Sequence, residues 1–321
     1  MAARNLIVNA DDFNSDEERN RGILEAGEKG IATSVSVIAN LPFNAESVAK
    51  LKTVFGPRIG IHLNLTKGAP ITRQTTSLVD ESGHFFKKKN AWSRALLHQY
   101  NLKAVEEEFA AQISRLQELG ITPDHLDGNN HLHIFPSIAE IVARLARDFG
   151  IRKIRLPLEK FQNPWHYFQP KAFKKYFFGF LAKRASFMFK SFDLLFPEHF
   201  AGIQFPQVGE IESLRKFFRK LPPGITELMC HPGYRAMSYQ VAFKSRSRRR
   251  QGIDVGVHFS TSRKMTRSQQ RYANKGDLVS LPQTAWSLHE EELAALTNPE
   301  VLAALKHEQI TLLSFHDLQG L

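Results

Sequence analysis

Short runs of apolar residues alternate, along most of the chain, with stretches in which apolar positions recur every three or four residues. Runs of the first kind are typical of buried strands, and stretches of the second kind are typical of amphipathic helices. The runs that predict strands lie at residues 6–8, 34–38, 59–65, 125–127, 153–156, 226–230 and 309–314. About seven strands with helices between them indicate an α/β protein with a parallel sheet, either a barrel or an open sheet.

The stretches that predict helices fall between these runs, at residues 15–29, 45–54, 103–119, 136–149, 211–220 and 290–306. Ser15 and Glu18 have the spacing of a capping box, which predicts the start of the first helix. Two segments break the alternation: residues 158–207 are aromatic and basic, and residues 235–284 are polar and basic. We interpret both as insertions in a single domain that spans residues 1–321, and we expect mobile chain around residues 244–250.

The composition is that of an ordinary globular protein, with 321 residues of which 42% are hydrophobic and 23% are charged. Such values exclude collagen-like, coiled-coil and wholly disordered classes. The single cysteine, Cys230, excludes an internal disulfide and a zinc site built only from cysteines. The first apolar run is too short for a signal peptide, and no run approaches 18 apolar residues, so we expect a cytoplasmic protein.

The net charge of +11 is concentrated in two places. Residues 171–192 and 241–275 together carry +15, which leaves −4 on the rest of the chain. The first of these segments predicts a basic helix whose apolar face holds Phe173, Tyr176, Phe177, Phe180, Phe187 and Met188. Such a helix suits an anionic membrane surface, and the protein would then be peripheral to the inner face of the membrane. The alternative is a helix packed on the scaffold with its basic face in water.

Acids, histidines and one asparagine gather at the ends of four predicted strands. They are Asp11 and Asp12, then His62, then His125, Asp127, Asn129, His131 and His133, and finally His231. The C-terminal ends of barrel strands meet on one face, so residues far apart in sequence can converge there. Each has an ordinary structural explanation when taken alone, such as an N-cap for the aspartates or a buried histidine. His131 and His133 would point to the same side of an extended segment, which is common in metal sites.

Four sequence blocks, in this order, carry a resemblance to a known family: residues 9–13, 60–66, 125–133 and 227–233. They read Asn-Ala-Asp-Asp-Phe, Gly-Ile-His-Leu-Asn-Leu-Thr, His-Leu-Asp-Gly-Asn-Asn-His-Leu-His and Glu-Leu-Met-Cys-His-Pro-Gly. The chain thereby resembles the YdjC-like (ChbG-type) carbohydrate deacetylases over residues 4–157, 198–234 and 286–318. The resemblance implies a (β/α)-barrel-like fold and metal-dependent removal of acetyl groups from N-acetylated sugars.

Residue by residue, the resemblance implies that Asp11 is the catalytic base, that Asp12 and His62 are metal ligands, and that His231 is the acid. The third ligand position, usually a histidine in the family, aligns with Asn129, and His131 or His125 could take its place. Asparagine offers an oxygen to Mg²⁺ but is a poor zinc ligand, so we expect a divalent metal, Mg²⁺ in preference to Zn²⁺. A second departure is Asn14, where the family usually has glycine.

Elementary chemistry agrees with these assignments. Amide hydrolysis needs an activated water, a polarised carbonyl and a proton for the leaving amine, and a divalent metal supplies the first two. A carboxylate such as Asp11 takes the water proton, a histidine such as His231 protonates the amine, and Asp127 would orient a histidine. The sequence therefore predicts a metal-dependent N-deacetylase acting on an acetylated amino sugar. If the basic helix binds a membrane, we expect that sugar to be linked to a lipid.

Two other functions stay open at this point. One is a metal-dependent hydrolase of another bond, such as a phosphodiester. The other is a non-catalytic binder with a decayed site, whose partner would be a membrane surface or, less favoured, a nucleic acid. The replacement at Asn129 and the basic segments support this second alternative, whereas the intact Asp11, Asp12, His62 and His231 argue against it.

Overall fold

The computed structural model describes residues 3–72, 77–159, 172–203, 208–234 and 288–319. The predicted insertion at 235–284, with its expected mobile chain, lies outside these ranges, and so does part of the insertion at 158–207. The organisation as one domain with two insertions therefore stays a prediction. Within the described ranges, no helix combines the length and the apolar character that crossing a bilayer requires.

The described residues form one parallel sheet that curls into a barrel-like shape, which confirms the predicted fold class. Its strands are β1 Arg4–Phe13, β2 Ser34–Val37, β3 Ile59–Leu63, β4 His125–Gly128, β5 Lys153–Ile154, β6 His199–Ala201, β7 Gly224–Cys230 and β8 Ile310–Leu313. Seven strands follow one another in the order β5-β4-β3-β2-β1-β7-β6, and β8 pairs with β1. β6, which the sequence analysis did not predict, pairs with β7.

Nine α-helices occur among the described residues. They are α1 Glu17–Glu28, α2 Ala45–Phe55, α3 Lys88–Leu96, α4 Leu102–Glu118, α5 Pro136–Asp148, α6 Ala172–Ser191, α7 Ile211–Arg219, α8 Leu288–Leu296 and α9 Pro299–His307. The predicted helix at 290–306 is two helices, because Asn298 caps α9 and Pro299 occupies its first turn. The cap of α1 is Asp16, whose side chain accepts a hydrogen bond from the Arg19 backbone, and Ser15 lies just before it.

The two faces of the sheet differ in polarity. Successive side chains of a strand point to opposite faces, so Leu6, Val8 and Ala10 of β1 lie on one face and join the main apolar core. The register places the equivalent positions of the neighbouring strands on that same face. Apart from Thr226, which pairs with Leu6, most of them are apolar: Val35, Val37, Ile59, Ile61, Leu63, Leu126 and Leu228.

The other face, inside the curl, changes along β1 from apolar to polar. Near its start, Ile7 packs with Phe315 and Leu318 in a small separate cluster. Towards its end the inner face holds Asn9 and Asp11, both buried. Because the strands are parallel, the polar positions of their C-terminal ends meet at this end of the curl.

Gly60 of β3 shows how tightly the inner face is packed. A Cβ atom at this position would lie 2.3 Å from the His125 ring. That ring cannot easily move, because it stacks on Phe315 at 4.0 Å and lies within 3.2 Å of the Ser36 hydroxyl. Position 60 in the Gly-Ile-His motif therefore needs glycine, because a side chain there would collide with the His125 ring.

We predict that Gly60→Ala lowers the free energy of unfolding by about 1–3 kcal/mol, the usual cost of an added methyl group in a full core. Gly179→Ala is the matched control, since a Cβ there meets nothing within 4 Å and the residue lies inside α6. This control should be neutral or slightly stabilising. Denaturant unfolding of both variants checks the prediction, and equal midpoints for Gly60→Ala and wild type would contradict it.

Candidate active site

A buried guanidinium group lies at the centre of the polar end of the curl. Arg155 follows β5 and donates to both carboxylate oxygens of Asp11, each at 2.6 Å. Its Nη1 lies 2.8 Å from Asp127 Oδ2, and its Nε donates to Glu227 Oε1 at 2.7 Å. One cation thus joins carboxylates from β1, β4 and β7, and all four side chains are at most 2% exposed.

The electrostatics of this cluster follow from burial and from Arg155. Burial alone would raise the pKa of Asp127, but the adjacent Arg155 and His62 hold it well below its usual range. Burial raises the pKa of Glu227 to about 7, against the effect of Arg155. The cluster therefore holds one carboxyl group that takes a proton near neutral pH, which reduces the excess of negative charge around a single guanidinium.

His62 of β3 connects this cluster to the second aspartate of the Asp-Asp pair. Its Nδ1 forms a 2.7 Å hydrogen bond with Asp127 Oδ1, and its Nε2 lies 3.6 Å from Asp12 Oδ1. Burial lowers the pKa of His62, but the contact with Asp127 outweighs it and raises the pKa to about 9. Asp127 therefore fixes both the orientation of the ring and the nitrogen that faces Asp12.

Asp12 points away from Arg155 because the chain turns sharply at the end of β1. Asp12 and Asn14 have φ values of 73° and 72°, in the left-handed region. Asparagine adopts this conformation more readily than most residues, which explains why Asn14 can stand where the family usually has glycine. Burial raises the pKa of Asp12, but His62, His231, Lys67 and Arg19 together hold it below its usual value.

Asn129 also reaches Asp12. Its Nδ2 donates to Asp12 Oδ1 at 3.0 Å, and its Oδ1 accepts from the Thr66 hydroxyl at 2.6 Å. The structure thus brings together three of the sequence-predicted metal ligands, Asp12, His62 and Asn129.

His231 follows β7 and is fixed through its backbone. Its carbonyl accepts from Arg19 Nη1, and its N–H donates to Glu292 Oε2. Arg19 also contacts Nδ1 of His289 at 3.0 Å. The His231 side chain is among the groups that hold the pKa of Asp12 below its usual value, so the two side chains share the same part of the site.

The histidines around β4 behave differently from the extended segment that the sequence analysis expected. Asn129–Ile134 is a turn of 3₁₀-helix in which Asn130 and His131 have φ values of 55° and 58°. The prediction that His131 and His133 share one side of an extended segment is therefore wrong. Left-handed residues in this turn redirect the chain, and no pattern of hydrophobicity signals them.

Each of these histidines has a different environment. His125 contacts Asp124 and Ser36 through its two ring nitrogens, so neither nitrogen is open to a metal. The His133 Nε2 lies 3.2 Å from the Arg155 carbonyl. His131 packs against Phe178 and Phe200 with ring centroids 6.1 Å away, and its Nδ1 is buried without a hydrogen-bond partner in the described part of the chain.

Asp11, His62 and Asp127 form a group that could hold a metal ion, since one ligand atom of each lies within 4.8 Å of the others. Both oxygens of Asp11 already accept from Arg155, and Asp127 accepts from Ser36 and contacts His62 and Arg155. Asp12 lies beside this triad, on the Nε2 side of His62. A cation near His62 is thus possible on either side of the ring.

The sequence analysis missed Arg155, Glu227 and Arg19 as members of the site. Arg155 had a detectable signal, because a charged residue in a predicted buried strand at 153–156 needs a buried partner. Glu227 had the same signal within the apolar run that predicts β7. Arg19 had none, since it lies on a helix with many exposed charges.

Comparisons with known proteins bear on this geometry. The sequence profile of the YdjC-like protein family matches residues 5–307. The chain belongs to this family. It is 32% identical over 240 residues to a carbohydrate deacetylase of Halalkalibacterium halodurans, covering 71% of this chain and 85% of the relative. A carbohydrate deacetylase of Geobacillus stearothermophilus is 28% identical over 324 residues, covering 99% of each chain.

One further relative and one solved structure are also similar to this chain. A carbohydrate deacetylase of Danio rerio is 36% identical over 159 residues, and that match covers 48% of this chain and 50% of the relative. A crystal structure from Enterococcus faecalis V583, of a protein provisionally described as a cellobiose-phosphate cleavage protein, has a TM-score of 0.66 and 21% identity over 98% of each chain. At that identity the match shows a shared fold.

We predict that Arg155→Met lowers the free energy of unfolding by about 3–5 kcal/mol, because it leaves buried carboxylates without their counter-charge. The control is Arg144→Met, which removes a partly exposed arginine paired with Glu106 and Glu140 and should cost less than about 1 kcal/mol. Urea unfolding at pH 7 measures both. A loss for Arg155→Met no larger than that of the control would contradict the central position of this side chain.

Proposed function

We propose that this protein is a metal-dependent hydrolase that removes the acetyl group from an N-acetylated amino sugar. The observation that carries the proposal is that the two aspartates of the Asp-Asp pair have different partners. Asp11 faces the buried Arg155, whereas Asp12 lies with His62 and Asn129. The names of the relatives, carbohydrate deacetylases, support the same reaction class.

The residues around Asp12 fit a divalent metal. The His62 Nε2 has Asp12 as its neighbour at 3.6 Å, and a carboxylate on the opposite nitrogen is the usual partner of a metal-binding histidine. Asp12 and His62 would hold the ion. The Asn129 amide now points its Nδ2 at Asp12, and a rotation that brought Oδ1 to this position would make Asn129 the third ligand. Two oxygens and one nitrogen favour Mg²⁺ over Zn²⁺. When bound, the metal supplies Lewis acidity towards the acetyl carbonyl and acidity to a water.

The chain's own residues supply the proton transfers. Asp11 accepts the proton of the attacking water, and its carboxylate is held in one orientation by two hydrogen bonds from Arg155 and one from Asn9. His231, fixed by Arg19 and Glu292, donates a proton to the nitrogen of the leaving amine. His131 would act as a ligand only if it left its aromatic neighbours. We therefore propose Asn129, in preference to His131, as the third metal ligand.

The proposal extends to the substrate's carrier and to location. The Phe-rich basic segment supports a lipid-linked acetylated sugar and an anionic membrane surface as partner of a cytoplasmic enzyme. A metal-dependent phosphodiesterase and a non-catalytic binder with a decayed site are the alternatives. Acetate release from N-acetylglucosamine oligomers, measured beside phosphate-ester hydrolysis, distinguishes all three, because the binder shows neither activity.

We predict that Asp11→Asn keeps bound metal and fold but lowers the turnover of acetate release at least about a hundredfold, the usual loss of a general base. His231→Ala should likewise keep the metal while slowing expulsion of the amine. Steady-state acetate release and metal content of the purified variants are the measurements. Near-normal turnover by Asp11→Asn removes it from the role of base, and loss of metal in His231→Ala makes that histidine a ligand.

We predict that Asp12→Ala and His62→Ala each abolish metal binding, whereas Asp127→Asn weakens it by only about 10–100-fold, as is usual for a partner of a ligand. Asn129→His should strengthen zinc binding. Titration of metal-free protein with Mg²⁺, Mn²⁺ and Zn²⁺ measures all four. If Asp12→Ala binds metal normally while Asp127→Asn does not, the ion belongs to the triad of Asp11, His62 and Asp127.

A further inference from the structure

Helix α6, Ala172–Ser191, has one buried face and one exposed face. The buried side chains are Phe178, Leu181, Ala182, Ala185 and Phe189. On the opposite face Phe180 is 62% exposed and Phe187 is 66% exposed. They are seven positions apart in the sequence, so they lie two turns apart on the same side of the helix. Two large exposed aromatic side chains on one side of a helix make that side a candidate interaction surface.

The apolar face predicted from the sequence is partly wrong. Phe177 and Met188 were expected to lie beside Phe180 and Phe187, but both are partly buried and pack against the main core. The side chains of Phe173 and Tyr176 lie outside the described residues. The exposed surface is therefore narrower than the sequence predicts, and it is centred on two phenylalanines.

Basic residues surround these two rings. Lys183 and Arg184 lie between them along the helix, Lys190 lies one turn after Phe187, and all three are exposed. The sequence of α6 contains no aspartate or glutamate. Aromatic rings that insert at the acyl boundary, with Lys and Arg around them, match the chemistry of an anionic lipid surface.

The buried face of α6 contacts the turn that carries Asn129. Phe178 packs on Trp92 with ring centroids 4.7 Å apart and on His131 at 6.1 Å. The Trp92 indole N–H donates to the Asn130 carbonyl at 3.0 Å. Asn129, the neighbour of Asn130, donates to Asp12. A short series of packed side chains thus joins the exposed helix to the candidate metal site.

We propose that Phe180, Phe187, Lys183, Arg184 and Lys190 form a docking surface for an anionic lipid bilayer, on the helix whose opposite face packs against the turn that carries Asn129. The second half of this inference rests on the proposed function. Docking through α6 would place the Asn129 turn one helix diameter, about 10 Å, from the bilayer, within reach of an acetylated sugar carried on a membrane lipid. The enzyme then favours lipid-linked sugars over free ones.

Sedimentation with phosphatidylglycerol vesicles tests the docking surface on the full-length protein. We expect Phe180→Ser/Phe187→Ser and Lys183→Glu/Arg184→Glu each to weaken binding about tenfold or more. The matched control is Lys216→Glu/Lys306→Glu, which makes the same change of charge on α7 and α9 at exposed positions and should bind as wild type does. Binding of the wild type should also fall with added salt and with phosphatidylcholine in place of the anionic lipid.

Several results would overturn the docking surface. One is that the two α6 variants bind vesicles as well as wild type does, and another is that wild type binds neutral and anionic vesicles equally. The third is that wild type is a dimer whereas the phenylalanine variant is a monomer. The last would show that a second copy of the chain covers these rings. Acetate release from soluble oligomers by the wild type is the separate test of the proposed function, so a failure of the reaction and a failure of docking are distinguishable.

Discussion

One buried cation determines how the polar end of the sheet is arranged. Arg155 offers its guanidinium to Asp11, Asp127 and Glu227, which come from three different strands. Arg155 and the carboxylates it pairs with stabilise one another, because an unpaired charge in the interior costs several kcal/mol. The requirement that all of them be satisfied at once fixes the positions of the strand ends relative to one another.

From this cluster the geometry extends outwards in steps. Asp127 receives Arg155 on one oxygen and His62 on the other, and His62 in turn presents Nε2 to Asp12. The deepest groups are thus salt-bridged and rigid, whereas Asp12, with 22% of its side chain exposed, is where the site meets its surroundings. A base held by Arg155 and a metal held beside it would therefore keep a constant separation during the reaction, which is what general-base catalysis requires.

Much of this could be predicted from the sequence, and the remainder has identifiable physical reasons. Apolar runs locate strands well because both faces of a parallel sheet are buried, and the acids and histidines after those runs mark the polar end of the curl. Arg155 was missed because its importance depends on partners 144 and 72 residues away in sequence, Asp11 and Glu227. The left-handed turn at Asn130 and His131 was missed because backbone conformation at single residues leaves little trace in hydrophobic periodicity. For α6, periodicity gives the faces of a helix but not which of two Phe-rich sides packs on the core.

Removal and return of the metal, followed on one sample, test whether acetate release depends on an ion held by Asp12 and His62. Protein treated with a chelator would be titrated with Mg²⁺ or Mn²⁺ while metal occupancy and acetate release from N-acetylglucosamine oligomers are recorded together. We expect the metal-free protein to be folded and to release no acetate, and its activity to return in proportion to occupancy up to one ion per chain. Acetate release at full rate without metal, or full occupancy without any release from free or lipid-linked acetylated sugars, would contradict this expectation.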